Sequence, residues 1–381
     1  MTLDESQRDW LALTLIPGVG TTLFIRLLAR FGSPTHVLSA TEGALREVVG
    51  PKLADRILHY RDVVDVEAQV RAMAQYDAHA IIMDDPAYPA RLAEIYDPPL
   101  VLFARGELHD ADQYSVAIVG TRNASAYGLR MAERLAGELA ARGITVVSGM
   151  AAGIDAAAHR GAMDAGGRSL AVLGCGVDIV YPSDNADLMH QLVQHGAVLS
   201  SFPMGVKPSK GHFPYRNRII SGLCLGTLVI EAPPGSGALI TARTAAEQGR
   251  EVFALPGQVG NRNSLGPHAL IREGAKLVET IDDMLVELDI PSGNRQPAPT
   301  TAPTPAVAAQ TPAPAETTAA PKPNVSEVEK DVLSMLNPEG SFVDEIAMAC
   351  RISVSEALSS LTMLELKGLV KQFSGKRFAP R

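Results

Sequence analysis

The chain has 381 residues, 46 % of them hydrophobic, and a formal net charge of -8 at pH 7. That length predicts two or three domains, and the composition is that of a globular protein able to bury a large core. The acidic balance excludes nucleic-acid coating by bulk charge, so a contact of that kind needs a local cluster of cations.

Cys175, Cys224 and Cys350 are far apart and none forms a CxxC pair, so no disulfide framework or zinc site is expected and a reducing cytosol fits. The opening MTLDESQRDW is polar and acidic, unlike a signal peptide. No apolar run reaches the ~18 residues of a membrane span. A cytoplasmic protein without membrane contact, metal or cofactor is therefore expected.

Residues 1–75 read as a small helical domain. An apolar helical pattern through Trp10–Ile16 breaks at Pro17-Gly18-Val19-Gly20 and resumes over Leu23–Phe31. A second unit breaks at Gly50-Pro51. Paired helices around a glycine-containing turn make a helix-hairpin-helix (SAM-like) pattern, whose turns can hold a phosphate on backbone N–H groups. Charge near the turns is sparse, with Arg26, Arg30 and Lys52 in reach.

Residues 80–290 alternate between strands and helices. The strands expected are Ser115–Val119, Thr145–Ser148, Leu170–Leu173, Ala197–Ser200, Thr227–Glu231 and Val252–Leu255, with a helix over Gly128–Arg142 among the connections. That alternation implies a Rossmann-like parallel sheet with helices on both faces. Residues 291–323, almost all Pro, Ala and Thr, read as a flexible, partly polyproline linker. Residues 324–381 carry three helical stripes and two short strands around Ser374-Gly375, the pattern of a winged helix. Its third helix, Ser353–Lys367, holds Glu356, Glu365 and a single lysine, which suits a protein-interaction module better than a major-groove reader.

Four segments carry chemistry. Ile118-Val119-Gly120-Thr121-Arg122 runs from a strand into a helix, where a Rossmann-like sheet presents free N–H groups to phosphate, and Arg122 can pair with one bidentately. GxGxxG and GxxxxGK[ST] are both absent, which excludes a dinucleotide fingerprint and a P-loop. Ser148-Gly149-Met150-Ala151-Ala152-Gly153-Ile154-Asp155 repeats the strand-to-helix arrangement. Asp155 and His159 stand four apart on one helix face, able to pair; with no third ligand in view a metal site is not expected. From Leu188 to Ile230 there is no Asp or Glu, and the window contains Lys207, Lys210, His212, Phe213, Tyr215, Arg216, Asn217 and Arg218. Cations for phosphates interleaved with rings for bases suit single-strand binding with little sequence preference. Finally, Glu231-Ala232-Pro233-Pro234-Gly235-Ser236-Gly237 leaves a strand for a helix. It resembles the PGGxGTxxE motif of the lysine-decarboxylase-like (LOG) nucleotide hydrolases, but Thr241 stands where their catalytic Glu would be and Ala238 replaces the motif's Thr. A phosphate cradle at Ser236 and Gly237 survives that comparison; catalysis does not.

In combination, IVGTRNASAYG, SGMAAGIDAAAH, FPYRNRIISGL, EAPPGSGALITARTAAEQGREVFALPG and LIREGA resemble the DNA-processing protein A (DprA/Smf) family over residues 10–290. The resemblance implies a non-enzymatic homodimer, paired through the Rossmann-like domain, that binds single-stranded DNA. It further implies protection of incoming DNA and loading of the RecA recombinase onto it in natural transformation. Carried over by motif, the DNA groove takes Gly120, Thr121, Arg122, Ser148, Gly149, Lys210, Phe213, Arg216, Asn217 and Arg218. Ala152 departs from the family's usual basic residue, and Ser201 from its frequent Glu. The first departure shifts weight onto Lys207 and Lys210.

Overall fold

The structure is a computed structural model describing residues 3–288, 290, 327–337, 341–350, 352–367, 369–373 and 377–380. The linker expected over 291–323, with Val325 and the Ser374-Gly375 turn, lies outside the described residues. The chain divides into two compact units, Met1–Ala302 and Pro303–Arg381.

The first unit opens with seven helices: α1 Glu5–Leu15, α2 Thr21–Phe31, α3 Pro34–Leu38, α4 Glu42–Val49, α5 Pro51–Leu58, α6 Tyr60–Val63 and α7 Val66–Gln75. Local chemistry sets several of the ends. The Asp4 carboxylate accepts the Gln7 N–H at 2.8 Å while the Gln7 side chain accepts the Asp4 N–H at 3.1 Å, a reciprocal cap that starts α1. Gly32, at φ 88°, ends α2 by donating its N–H to the Leu28 carbonyl. The helices break where the sequence breaks, between α1 and α2 at Pro17–Gly20 and between α4 and α5 at Gly50, and α4 and α5 pack against each other.

These helices share a core with the sheet. Trp10, Leu11, Leu13, Phe24 and Leu27 pack in one cluster with Val101, Phe103, Leu173 and Val198. The Trp10 indole N–H donates to the Leu100 carbonyl at 2.9 Å, and the Thr21 hydroxyl to the Pro98 carbonyl at 3.2 Å.

The sheet has nine strands in the order β1-β2-β6-β5-β4-β3-β7-β8-β9. In chain order they are β1 Ala78–Ile82, β2 Val101–Gly106, β3 Ser115–Val119, β4 Thr145–Ser148, β5 Ser169–Leu173, β6 Gly196–Ser200, β7 Gly226–Val229, β8 Glu251–Ala254 and β9 Lys276–Leu277. Strands β3 to β9 run parallel; β2 joins β6 antiparallel and β1 joins β2 antiparallel. The six strands expected from sequence are all present within two residues of their ends. The two antiparallel strands and β9 extend the sheet beyond that expectation, and β1 and β2 make it mixed.

The helices among these strands are α8 Ala90–Ala93, α9 Ala126–Ala141, α10 Ile154–Asp164, α11 Ala186–His195, α12 His212–Leu223, α13 Gly237–Glu247, α14 Leu265–Arg272 and α15 Ile281–Leu285. Every residue of β3 to β7 is buried, as strands covered on both faces must be. Alternate side chains serve opposite faces: Ala117 and Val119 pack with α12 and α13, Val116 and Ile118 with α9 and α10. The helix expected from Gly128 starts two residues earlier, because the Ser125 hydroxyl caps it by accepting the Gly128 N–H at 3.1 Å.

The second unit is a three-helix, three-strand module: α16 Glu327–Ser334, β10 Ser341–Phe342, α17 Val343–Cys350, α18 Val354–Leu366, β11 Val370–Phe373 and β12 Arg377–Pro380. Its sheet runs β10-β12-β11 around a core of Val332, Leu336, Ile346, Leu361, Leu364 and Phe378. This is the winged helix read from the sequence, with β10 as an added strand. Among the described residues of both units, no helix is long and apolar enough to cross a membrane.

Candidate nucleic-acid interface

Strand order fixes where a ligand belongs. From β3 the chain steps through β4, β5 and β6 on one side and through β7, β8 and β9 on the other, so strand order reverses between β3 and β7. Loops leaving the carboxyl ends of such a pair diverge and open a crevice. A cleft of about 330 Å³ lies there.

Eight of the thirteen residues singled out from sequence line this cleft together: Gly120, Thr121, Arg122, Phe213, Arg216, Asn217, Ser236 and Gly237. Glycine is needed where the loops cross. A Cβ on Gly120 would lie 2.5 Å from Ile154, and one on Gly153, at φ 81°, would lie 2.4 Å from the Thr121 carbonyl oxygen. On the opposite wall, the Ser236 N–H donates to the Pro233 carbonyl at 3.0 Å, and the Ser236 hydroxyl accepts the Ala238 N–H at 3.3 Å. That turn aims the N-terminus of α13 into the cleft, with open space beside Gly237.

Arg122 is exposed at the rim, its guanidinium carbon 5.3 Å from the Phe213 ring centroid. Tyr181 packs against the same ring at 5.6 Å. The rim thus offers a cation and an aromatic face side by side, one for a phosphate and one for a base.

Glu231 anchors the loop that carries Thr121 and Arg122. It is 3 % exposed and accepts the Ser125 N–H at 2.9 Å, the Ser125 hydroxyl at 2.5 Å and the Asn263 amide at 3.3 Å. Its backbone carbonyl takes the Thr121 N–H at 2.7 Å. Beyond its strand-end position, nothing in the local sequence signals this role.

The other groove candidates divide between the buried floor of the cleft and positions outside it. Arg216 is 5 % exposed and forms the cleft floor, donating from Nη1 to the Val172 carbonyl at 2.6 Å. Its Nε finds no partner among the described residues. Asn217 is also buried and donates its amide to the Gly237 carbonyl at 3.4 Å, tying α12 to α13. Ser148 is fully buried, with its hydroxyl donated to the Ile118 carbonyl at 2.6 Å, and it does not reach the cleft. Gly149 lies against Arg216: a Cβ there would stand 1.9 Å from Nη1. The glycine's work is to admit the buried guanidinium. Arg218 lies outside this cleft, 4.0 Å over the Tyr215 ring and 3.6 Å from the Asp97 carboxylate.

Lys207 and Lys210 are exposed on the loop that enters α12 but do not line the cleft. The loop is moored by Asp178, whose carboxylate takes the Gly205 N–H at 2.9 and 3.0 Å, and by Gln69 of α7, which accepts the Met204 N–H at 3.0 Å.

Asp155 and His159 do not hydrogen-bond to each other. Asp155 lines the cleft and accepts the Gly149 N–H at 3.2 Å. Burial pushes its carboxyl above the usual range, opposed by Arg216 and by the N–H groups of Ala151, Gly149 and Gly120. His159 pairs with the Ser169 hydroxyl at 2.7 Å, and burial, with Arg216 and Arg160, pushes it down to about 3. It therefore stays neutral. Among the described residues no three His, Cys, Asp or Glu side chains cluster to hold a metal. Thr241 lines the cleft where the LOG enzymes carry their acid, and its hydroxyl turns back to the Gly237 carbonyl at 3.3 Å.

Comparison with known proteins identifies a family. Residues 79–289 match the family model for DNA recombination-mediator protein A, and residues 296–376 that of the DprA winged helix domain. The chain is 35 % identical to Protein Smf of Synechocystis sp., over 99 % of this chain and 100 % of that one. The X-ray structure of DNA processing protein A from Streptococcus pneumoniae superposes with a TM-score of 0.66 at 35 % identity, over 76 % of this chain and 100 % of that one. DNA processing protein A from Helicobacter pylori, described for its unique single-stranded DNA binding mode, gives 0.51 at 28 % identity, over 56 % and 96 %. With its switch-point cleft, mostly parallel sheet and winged-helix tail, the chain belongs to the DNA-processing protein A (DprA/Smf) family.

Proposed function

We propose that this protein binds single-stranded DNA in the switch-point cleft, without cutting it, and acts as a recombination mediator. The observation that carries the reading is the cleft itself. Arg122 and the α13 N-terminus face a backbone phosphate from two walls, and Phe213 offers a ring to a base between them. The H. pylori relative binds single-stranded DNA, and the matching family model is that of a recombination mediator. Gly120, Thr121, Arg122, Phe213, Ser236 and Gly237 supply direct contacts in this reading. Arg216, Asn217 and Gly149 set the floor, and Lys207 and Lys210 attract the strand from outside.

In the cell the protein protects incoming strands and passes them to the RecA recombinase during natural transformation, as a cytoplasmic homodimer paired through its Rossmann-like domain. Support for RecA and for the homodimer is the family resemblance. Support for a reducing compartment is that Cys175 and Cys224 are buried free thiols.

Titration of single- against double-stranded oligonucleotides over a range of salt tests the reading. Single strands are expected to bind more tightly, with each neutralised phosphate adding about 0.7 to the log–log salt slope. Equal affinity for duplex and single strand, or a flat salt response, overturns it. Deleting residues from Pro297 onward is expected to leave single-strand affinity within about twofold, a difference of only a few tenths of a kcal/mol. Loss of binding in that truncation transfers the DNA-reading role to the winged helix.

A further inference from the structure

A second cleft, of about 390 Å³, lies beside the first and is used by nothing described so far. The two share the opening turns of α12. Phe213, Arg216, Asn217 and Ile220 form a stripe at helical spacing and line the first cleft. His212 and Tyr215 stand on the adjacent stripe and line the second. One wall is the α1–α2 hairpin at Val19, Gly20 and Thr21, and the floor is Pro99–Val101.

The second cleft is already faced with rings. Phe202 stacks on His212 at 4.2 Å, with Tyr215 at 5.9 Å from Phe202. Tyr215 is 41 % exposed, and Arg218 lies 4.0 Å from its ring centroid, itself 3.6 Å from Asp97. Arg218 thus fixes the orientation of the Tyr215 ring and gives it a cationic backing. The hairpin wall is fixed too, because Thr21 and Trp10 donate hydrogen bonds to the carbonyls of Pro98 and Leu100. No carboxylate lines this cleft, and its volume falls within the roughly 300–1,000 Å³ of small-molecule sites.

We infer that this second cleft takes a further base of the same single strand. The strand crosses the first turn of α12, leaving one base on Phe213 and placing another against Tyr215 and Phe202, under the hairpin turn. The N-terminal helical layer therefore contacts DNA through this turn, on a surface continuous with the first cleft. An ordinary crevice between two packed layers is the bland alternative. It accounts for the buried floor but not for an exposed, cation-backed ring at the mouth. The inference rests on the single-strand reading above and extends it to the helical layer.

Gly20→Asp tests it without threatening the fold. Gly20 is the N-cap of α2 at φ -93°, and a Cβ there meets nothing within 4 Å. Aspartate is among the best N-cap residues, so the thermal midpoint should not fall. It does, however, place a carboxylate on the wall of the second cleft. The parent, Gly20→Asp, Tyr215→Ala and Arg122→Ala proteins are titrated with oligo-dT of about 4 and about 16 nucleotides, the span of common single-strand site sizes. Gly20→Asp and Tyr215→Ala are expected to weaken the long oligonucleotide by about five- to tenfold and to leave the short one unchanged. Arg122→Ala is expected to weaken both. If Gly20→Asp binds the long oligonucleotide as the parent does, the inference is wrong, whatever Tyr215→Ala shows. If the parent binds neither, the single-strand reading itself fails.

Discussion

Replacing Arg216 by methionine is expected to destabilise the protein by about 1–3 kcal/mol, because it leaves the Val172 carbonyl without its donor and takes a compensating charge from a buried carboxyl. Urea denaturation measures it. The stranded group is Asp155, 7 % exposed beneath the cleft. Burial already drives its carboxyl upward, and Arg216 is the first of the opposing influences. Without the guanidinium the carboxyl rises further. A group raised in the native state holds a proton that the unfolded chain has released. Its stabilising contribution is complete below the unfolded value of roughly 4 and is lost as pH rises through the native value. Arg216→Met should therefore lose stability over a wider pH span above 4 than the parent does. Adding Asp155→Asn removes the stranded charge and should restore part of the loss and flatten the pH dependence. If single and double variants unfold at the same urea concentration at every pH, the two buried groups are not coupled.

Replacing Arg122 by alanine has the opposite profile. Arg122 is exposed at the rim, so the fold should keep its stability to within about 0.5 kcal/mol. Its loss should appear in binding. A charge-assisted contact to phosphate is worth about 1.5–3 kcal/mol, roughly ten- to a hundredfold in affinity. Because a phosphate carries no sequence, the loss should be equal on oligo-dT and on mixed sequences, and the salt slope should become shallower by about 0.7. A loss confined to one sequence would recast Arg122 as a base reader. An unchanged slope would remove it from the phosphate path.

How much of this could be read from the amino acids depended on what each residue had to do. The central strands were legible because burial on both faces forces near-continuous apolar runs, as in Val116–Val119 and Leu170–Leu173. Strand β2 is also apolar, but the argument from strand–helix alternation has no place for an antiparallel strand that follows only the four-residue α8 and sits between β1 and β6. The cleft was legible where backbone decides: Gly120, Ser236 and Gly237 mark strand-to-helix turns. It was misleading where charge decides. Arg216 and Arg218 occur in a run with Lys207 and Lys210, and a linear string does not say which cations face solvent. Helical phase answers that question, since Arg216 shares a stripe with Phe213 and Ile220 and is carried inward. Ser148 and Gly149 end a strand, a position that suggests donors for a ligand, whereas the side chain of one serves the sheet and the bareness of the other serves Arg216. The mooring of the basic loop by Asp178 and Gln69 joins residues far apart in the chain, and no local pattern announces it.

The Glu231 carboxylate has a consequence for the energetics of capture. By gripping Ser125 and Asn263 at once, while its carbonyl takes the Thr121 N–H, it joins the loop after β3 to the loop after β8 behind the wall that carries Thr121 and Arg122. The rim is therefore assembled before any strand arrives. In the proposed single-strand reading, binding then orders little protein, and nearly all the conformational entropy lost belongs to the DNA, whose loose backbone must accept a shape already cut for it.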